Sequence, residues 1–246
     1  MFYIESNNID AAFNFSVEEL FTKELKFDAP VLMLWQADKC VMFGNNQSIE
    51  YEADTGFARK EGIQLVRRSS GGGAIYTDLG TILFTVILPY DKITPVQQIA
   101  NETVAGMIIG ALATMGLTAV QEGRNDILLD GKKISGLAQY LTGDHLCTHG
   151  SLLYDTDLDI LSKVLIANEE KLLPKGIRSI RSRVTNIKPY MDDKCSVDEF
   201  RERLKQALLS GKDHSVYILN NKELDFVSGI RRDKYTNPAW TFGGGT

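Results

Sequence analysis

The chain has little that would suit it to a membrane, to an oxidising compartment or to nucleic acid. No apolar run approaches the ~18 residues of a membrane-spanning helix. The amino terminus, Met-Phe-Tyr-Ile-Glu-Ser, has no basic stretch followed by an apolar one and does not read as a secretion signal. Cysteine occurs three times, at Cys40, Cys147 and Cys195, an odd number at wide spacing that builds no disulfide framework. Acidic residues outnumber basic ones, 32 to 27, and the formal charge of −5 argues against a general nucleic-acid binder, which needs a basic footprint. Repeats and low-complexity tracts are missing too. These absences predict a cytoplasmic protein with no membrane and no nucleic-acid partner.

What is present is an ordinary globular composition, 43% apolar and 24% charged, over 246 residues. That length suits one domain, 1–246, able to bury about 70–75% of its unfolded surface without a disulfide or metal staple. Apolar spacing and capping signals predict helices over 10–26, 52–61, 95–115, 157–165, 196–209 and 222–231, the first capped by Asp10. Strands are expected over 31–35, 40–43, 63–66, 81–88, 117–120, 126–129, 133–139 and 146–154. Asp130-Gly131 between two of these is a strong hairpin signal. Runs of strands with helices beside them, in no regular alternation, give an α+β class with a mixed β-sheet flanked by helices.

Three stretches could carry chemistry. In the first, Arg67-Arg68-Ser69-Ser70-Gly71-Gly72-Gly73-Ala74-Ile75-Tyr76, three consecutive glycines leave peptide N–H groups unhindered beside two guanidiniums and two hydroxyls. Anionic ligands are bound by such a combination, although glycine-rich β-turns are also ordinary punctuation. It is neither of two common phosphate loops. A P-loop needs Lys-Ser/Thr after its last glycine, where this chain has Ala74-Ile75, and the dinucleotide fingerprint needs glycine where Tyr76 stands.

The second stretch is Arg124-Asn125-Asp126, followed across the hairpin by Gly131-Lys132-Lys133-Ile134-Ser135-Gly136. An Asp at a strand start can hold Mg²⁺ or pair with a cation, and a Lys on the next strand can reach the same space. A solvated hairpin with lysines blocking edge pairing is the plainer reading. The third is His145-Leu146-Cys147-Thr148-His149-Gly150-Ser151. In a strand, residues 145, 147 and 149 share a face, open to a metal, to a Cys–His nucleophile pair or to a simple polar strand end.

In this order, the three stretches resemble the catalytic domain of lipoate–protein ligases, with Leu137-Ala138-Gln139 and Leu152-Leu153 extending the motifs and weaker likeness from Ala12-Phe13-Asn14 to Lys234-Tyr235 and Trp240. The resemblance implies the fold shared by biotin and lipoate protein ligases. It implies activation of lipoate by ATP and Mg²⁺ to lipoyl-AMP, then transfer to a lysine of a lipoyl-domain acceptor or a glycine-cleavage H protein. Carried onto this chain, Arg68, Ser70 and the loop Gly71, Gly72, Gly73, Ala74, Ile75 and Tyr76 would cradle the phosphates and the acyl-adenylate. Lys133 would be the catalytic residue, contacting the lipoyl carbonyl and the phosphate. Asn125 and Asp126 would bind the nucleotide, with Asp126 also holding the metal. Ser135, Gly136, Ala138 and His149 would complete the pocket, and an apolar slot around Trp35, Phe43 and Leu137 would take the acyl tail.

The chain also departs from that pattern. Asn45 follows Gly44 where many relatives carry Arg, Thr81 replaces an Asn, Thr148 a His, and Ser151 a Thr. The accessory domain of the larger ligases is not found after 243–246, which leaves room for an accessory subunit. Two other readings stand beside the ligase: an ATP-independent octanoyl or lipoyl amidotransferase using a Cys147 thioester, and a non-catalytic lipoyl-binding protein.

Overall fold

A computed structural model of the chain describes residues 1–25, 27–166 and 180–243. The expected end of the first helix at Lys26 and the last three residues of the expected domain lie outside the described residues. Eight strands form one large sheet in the order β11-β1-β2-β6-β10-β9-β8-β7, and three form a small one, β4-β3-β5. The large sheet comprises β1 (Phe2–Glu5), β2 (Val31–Trp35), β6 (Thr81–Pro89), β7 (Ala119–Glu122), β8 (Asp126–Leu129), β9 (Lys132–Thr142), β10 (His145–Leu153) and β11 (Ser215–Val216). The small sheet comprises β3 (Cys40–Phe43), β4 (Gln64–Arg67) and β5 (Ile75–Thr77). Strands β11, β1 and β2 run parallel, while β2 pairs antiparallel with β6 and the meander from β6 through β10, β9 and β8 to β7 is antiparallel throughout. The sheet is mixed, as the sequence pattern suggests. Among the described residues the small sheet accompanies it as a second layer element.

Alternation along β2 shows how the sheet is buried. Leu32 and Leu34 face one core with Ile108 and Leu112 of α3 (Gly106–Ala113) and with Phe200, Leu204 and Leu208 of α6 (Val197–Leu209). Met33 and Trp35 face the other, with Phe15 of α1 (Ala11–Glu19) and Val227 of α7 (Asn221–Ile230). A sheet covered on both faces reads as continuous apolar runs, as β2 does. The small sheet packs on α2 (Thr55–Lys60) and α4 (Leu158–Val164) through a third core that includes Val41, Phe43, Ala58 and Leu161.

Local signals act where expected. The Asp10 carboxylate accepts from Ala12 N at 2.8 Å and starts α1, and Ser196 with Glu199 forms a reciprocal cap on α6. Asp130 and Gly131 both adopt positive φ, 50° and 71°, as a tight two-residue hairpin turn requires. The helix expected over 95–115 is present with a wider π-helical stretch, Ile99–Ala105, in its middle. Among the described residues no helix is long and apolar enough to cross a membrane.

Candidate active site

The glycine loop joins β4 to β5 and is braced from within by the two arginines that precede it. Arg67, wholly buried, donates from Nη1 to the carbonyls of Gly44, Asn45 and Gln47 at 2.7–3.0 Å. Its Nε donates to Trp240 and Thr241 in α8 (Pro238–Phe242), and the Trp240 indole donates back to Arg67 O at 2.9 Å. Arg68 donates to Met42 O, Gly71 O and Gly73 O at 2.7–2.8 Å, and from Nε to Ser70 Oγ at 2.9 Å. Burial pushes its guanidinium down to about 10, and its Nη2 is given over to the loop carbonyls of Gly71 and Gly73. Three glycines supply no side chains to hold a loop in shape, so the neighbouring guanidinium does it. Arg68 still lines the cavity, but as a brace for the loop's carbonyls.

Two further contacts fix the loop. Gly72 takes φ +90°, and a Cβ on Gly44 would overlap the Gly72 carbonyl oxygen, so both positions require glycine. Beneath the loop, Ser70 Oγ lies 2.7 Å from His149 Nε2, and His149 Nδ1 lies 3.0 Å from both oxygens of Glu18. Glu18 accepts from Thr85 Oγ1 at 2.5 Å, and the Trp35 indole donates to Thr85 at 3.2 Å. Every member of this relay is buried. It runs from the loop to the floor of the cavity, so Ser70 and His149 hold the site together from below.

The hairpin forms the opposite wall. A bulge between Ile127 and Leu128 shifts the β8–β9 register and puts Lys133 on the face of Asp126, against plain alternation. Lys133 Nζ sits 2.7 Å from Asp126 Oδ1, and a Cβ on Gly136 would meet that ammonium at 2.9 Å. Gly136 therefore leaves the space that Lys133 occupies. The second Asp126 oxygen accepts from Arg183 Nη2 of α5 (Ile180–Arg183) at 2.5 Å. Burial works against ionisation of Asp126, but the two cations outweigh it and hold the carboxyl below its ordinary value. Burial also lowers the Lys133 ammonium, despite the attraction of Asp126. Asn125 donates to Leu137 O at 2.9 Å and keys β8 to β9.

Loop and hairpin enclose two adjoining cavities. The first is mainly apolar, lined by Phe15, Trp35, Met42, Leu83, Leu137 and Ala138 together with Gly72 and His149. The second is the more polar of the two, lined by Glu52, Tyr76, Asp126, Ser135, Ser151 and Arg183, with apolar walls that include Leu161, Leu165 and Ile180. Gly73, Ala74, Ile75, Asn125, Lys133 and Gly136 line both, so Lys133 stands at the seam. Ser70 and Gly71 line neither. Of the residues expected around an acyl slot, Trp35 and Leu137 line the apolar cavity, whereas Phe43 points into the core under the small sheet.

Sequence reasoning missed Glu18, Arg183 and the Glu19 cluster. Glu19, buried at the end of α1, accepts from Tyr235 at 2.7 Å and Ser69 at 3.0 Å, and pairs with Lys234 and Lys23. Acidic residues on an apolar helix face were the available signal, since Glu18 and Glu19 interrupt an otherwise buried stretch.

Cys147 is buried in an apolar core and lines neither cavity. Burial raises its thiol well above the ordinary value, which disfavours the thiolate that a thioester route needs. Its sulfur, Glu18 and His149 come within 4.8 Å of one another, but both His149 nitrogens already have partners. His145 is near Phe27 O at 3.1 Å, away from that group.

Residues 10–209 match the lipoyl protein ligase A/B catalytic domain. A lipoate-protein ligase of Bacillus subtilis, LplJ, is 35% identical over 99% of this chain and 74% of its own length. A bipartite lipoate protein ligase of Thermoplasma acidophilum, solved in a study with its E2 lipoyl domain, superposes with a TM-score of 0.85 at 29% identity, over 98% of this chain and 95% of that one. A lipoate-protein ligase A bound with ATP superposes at 0.84 with 27% identity, over 98% of each chain.

Proposed function

Since the chain belongs to the lipoyl protein ligase A/B catalytic-domain family, we propose that its two adjoining cavities are the two halves of one lipoyl-adenylate site. The chain is a lipoate–protein ligase, an enzyme that uses ATP to activate lipoate and attach it to a protein lysine. The observation that carries the site assignment is the position of Lys133, whose ammonium stands where the apolar and polar cavities meet.

In this reading the acyl chain enters the slot between Trp35, Met42, Leu83 and Leu137, with its carboxylate at the seam. The nucleotide occupies the polar cavity, its phosphates against the N–H groups of the loop from Gly72 to Tyr76. A carboxylate oxygen of lipoate attacks the α-phosphorus, the bond to the β-phosphate breaks, and pyrophosphate leaves. In the second step an acceptor amine attacks the acyl carbon, AMP departs, and the amine loses a proton. Negative charge gathers around the α-phosphate in both steps, and a preorganised ammonium and loop amides stabilise it there. Lys133 approaches the acyl oxygen from the side opposite the loop. Arg68 and the Ser70–His149–Glu18 relay act one layer behind, keeping the loop's N–H groups aimed.

Magnesium belongs to this reaction as the counter-ion of ATP. In the nucleotide-free chain Asp126 does not fit a resident metal, because its two oxygens are taken by Lys133 and Arg183, and a divalent cation beside both would be repelled. Where magnesium binds through phosphates and water it needs few protein ligands. The acceptor is a lipoyl domain, and the H protein of the glycine-cleavage system offers the same exposed lysine chemistry. Residues 1–246 act as one catalytic domain, with an accessory domain or subunit assisting adenylation, and the reaction runs in the cytoplasm, where ATP is supplied.

The test is incubation with lipoate, Mg-ATP and a lipoyl domain. AMP and pyrophosphate should form in step with modified acceptor. Acyl transfer between carrier proteins with no need of ATP would overturn the assignment in favour of an amidotransferase.

A further inference from the structure

Among the described residues the site holds one more cation than its sequence motifs supply. We propose that Arg183 is a phosphate-binding residue of the adenylate site, held in reserve by Asp126 until the nucleotide displaces it. The inference rests on the ligase reading of the polar cavity and adds a residue to it.

Three observations carry it. Asp126 is clasped between two cations, Lys133 at 2.7 Å and Arg183 at 2.5 Å, so a single carboxylate charge faces two positive ones at the cavity wall. Among the described residues the other carboxylate lining that cavity is Glu52, which accepts from Ala74 N at 3.4 Å on the loop side. The Asp126 clasp therefore carries net positive charge facing the space assigned to phosphates, a surplus that an anionic ligand complements.

Arg183 is also placed by backbone, not by a chance surface pairing. Val184 forms a parallel bridge with Lys133, and Thr185 N donates to Lys133 O at 3.0 Å. Downstream, Ile187 N donates to Leu153 O at 2.7 Å, and the Asn186 amide holds both the N–H and the carbonyl of Thr156. The segment after α5 is thus laid along β9 and the end of β10, and Arg183 arrives beside Lys133 as a consequence.

Its chemistry fits the role. A guanidinium presents donors in a planar fork that matches phosphate oxygens, and it stays charged throughout the working pH range. Arg183 is 27% exposed and Asp126 14%, enough to reach a ligand while remaining largely out of water. Exchange of one oxyanion for another needs only rotation of the arginine side chain. Asp126 keeps Lys133 as its partner meanwhile, so no carboxylate is left unpaired.

The test measures equilibrium binding of ATP in EDTA, and of lipoate, to the full chain and its variants. Arg183→Gln should weaken ATP binding roughly 10- to 100-fold, the loss expected for a charged hydrogen bond, and leave lipoate binding unchanged. Arg183→Lys should recover part of the loss. The double variant Asp126→Asn with Arg183→Gln should stay as weak as Arg183→Gln, because the ligand contact itself is gone. Wild-type ATP affinity in Arg183→Gln, or recovery in the double variant, would overturn the proposal and leave Arg183 a partner of Asp126 only. Loss of ATP and lipoate binding together would equally overturn it, as a structural defect. Failure of the wild type to bind ATP would bring down the ligase reading and this proposal with it.

Discussion

Ser70 Oγ lies 2.7 Å from His149 Nε2, a contact that joins the glycine loop to the middle of β10 across 79 residues of sequence. Removing the hydroxyl leaves the buried Arg68 Nε and His149 Nε2 without that partner. Ser70→Ala should therefore destabilise the fold by about 1–3 kcal/mol. Urea unfolding measures the loss directly. A parallel rise in KM for ATP would report that the loop loosens with it.

Gly44 and Gly72 meet backbone to backbone. In Gly44→Ala the new methyl overlaps the Gly72 carbonyl and pushes the loop away from β3. Displacement of the loop by about 1 Å is enough for a fall in kcat/KM of roughly 100-fold. Steady-state kinetics with ATP as the varied substrate should show it, with the circular dichroism of the wild type retained.

Cys147 tests the thioester alternative. With the thiol buried and raised, Cys147→Ser should keep ATP-dependent lipoylation, and native protein should resist alkylation at this position until unfolded. Peptide mapping after iodoacetamide, with and without denaturant, checks the second statement.

Glu19 gives a pH dependence of stability. Burial opposes its ionisation, but Lys234, Lys23 and Tyr235 outweigh burial and hold the folded carboxyl below 4.5. A carboxyl depressed on folding stabilises above its unfolded value and loses that contribution as pH falls through its folded one. The stability difference between wild type and Glu19→Gln should thus be full at pH 7, at about 1–3 kcal/mol, and shrink below pH 4.5. Urea unfolding of both proteins at pH 7 and pH 3.5 measures it.

The motifs that marked the site were legible because each is local. Glycines in a row, an Asp-Gly hairpin and an apolar strand carry their meaning within a few residues. The roles of the charged groups were less so. Arg68 reads as a ligand donor in sequence, yet its guanidinium holds loop carbonyls, since the glycines beside it offer nothing else to bond. Alternation alone puts Lys133 with Ser135 on the face away from Asp126, and a bulge reverses that. Arg183 comes from 57 residues beyond Asp126, and Glu18 from 131 before His149, distances at which no spacing rule operates. The elements missed were short: β1, β5 and β11 have four, three and two residues, too few for a period to show. The lining of the apolar cavity was legible in part, with Trp35 and Leu137 facing inward and Phe43 turned to the other core.

The central claim is that one continuous site holds lipoyl-AMP with Lys133 at the seam. It is tested most directly by single-turnover transfer from synthetic lipoyl-AMP to a lipoyl domain, without ATP, in wild type and Lys133→Ala. Wild type should modify the acceptor and release AMP, and Lys133→Ala should be slower by about 10²–10³-fold with its fold intact, as for loss of one preorganised charge-stabilising donor. A wild type that leaves lipoyl-AMP unconsumed, or a Lys133→Ala variant that transfers at the wild-type rate, would contradict it.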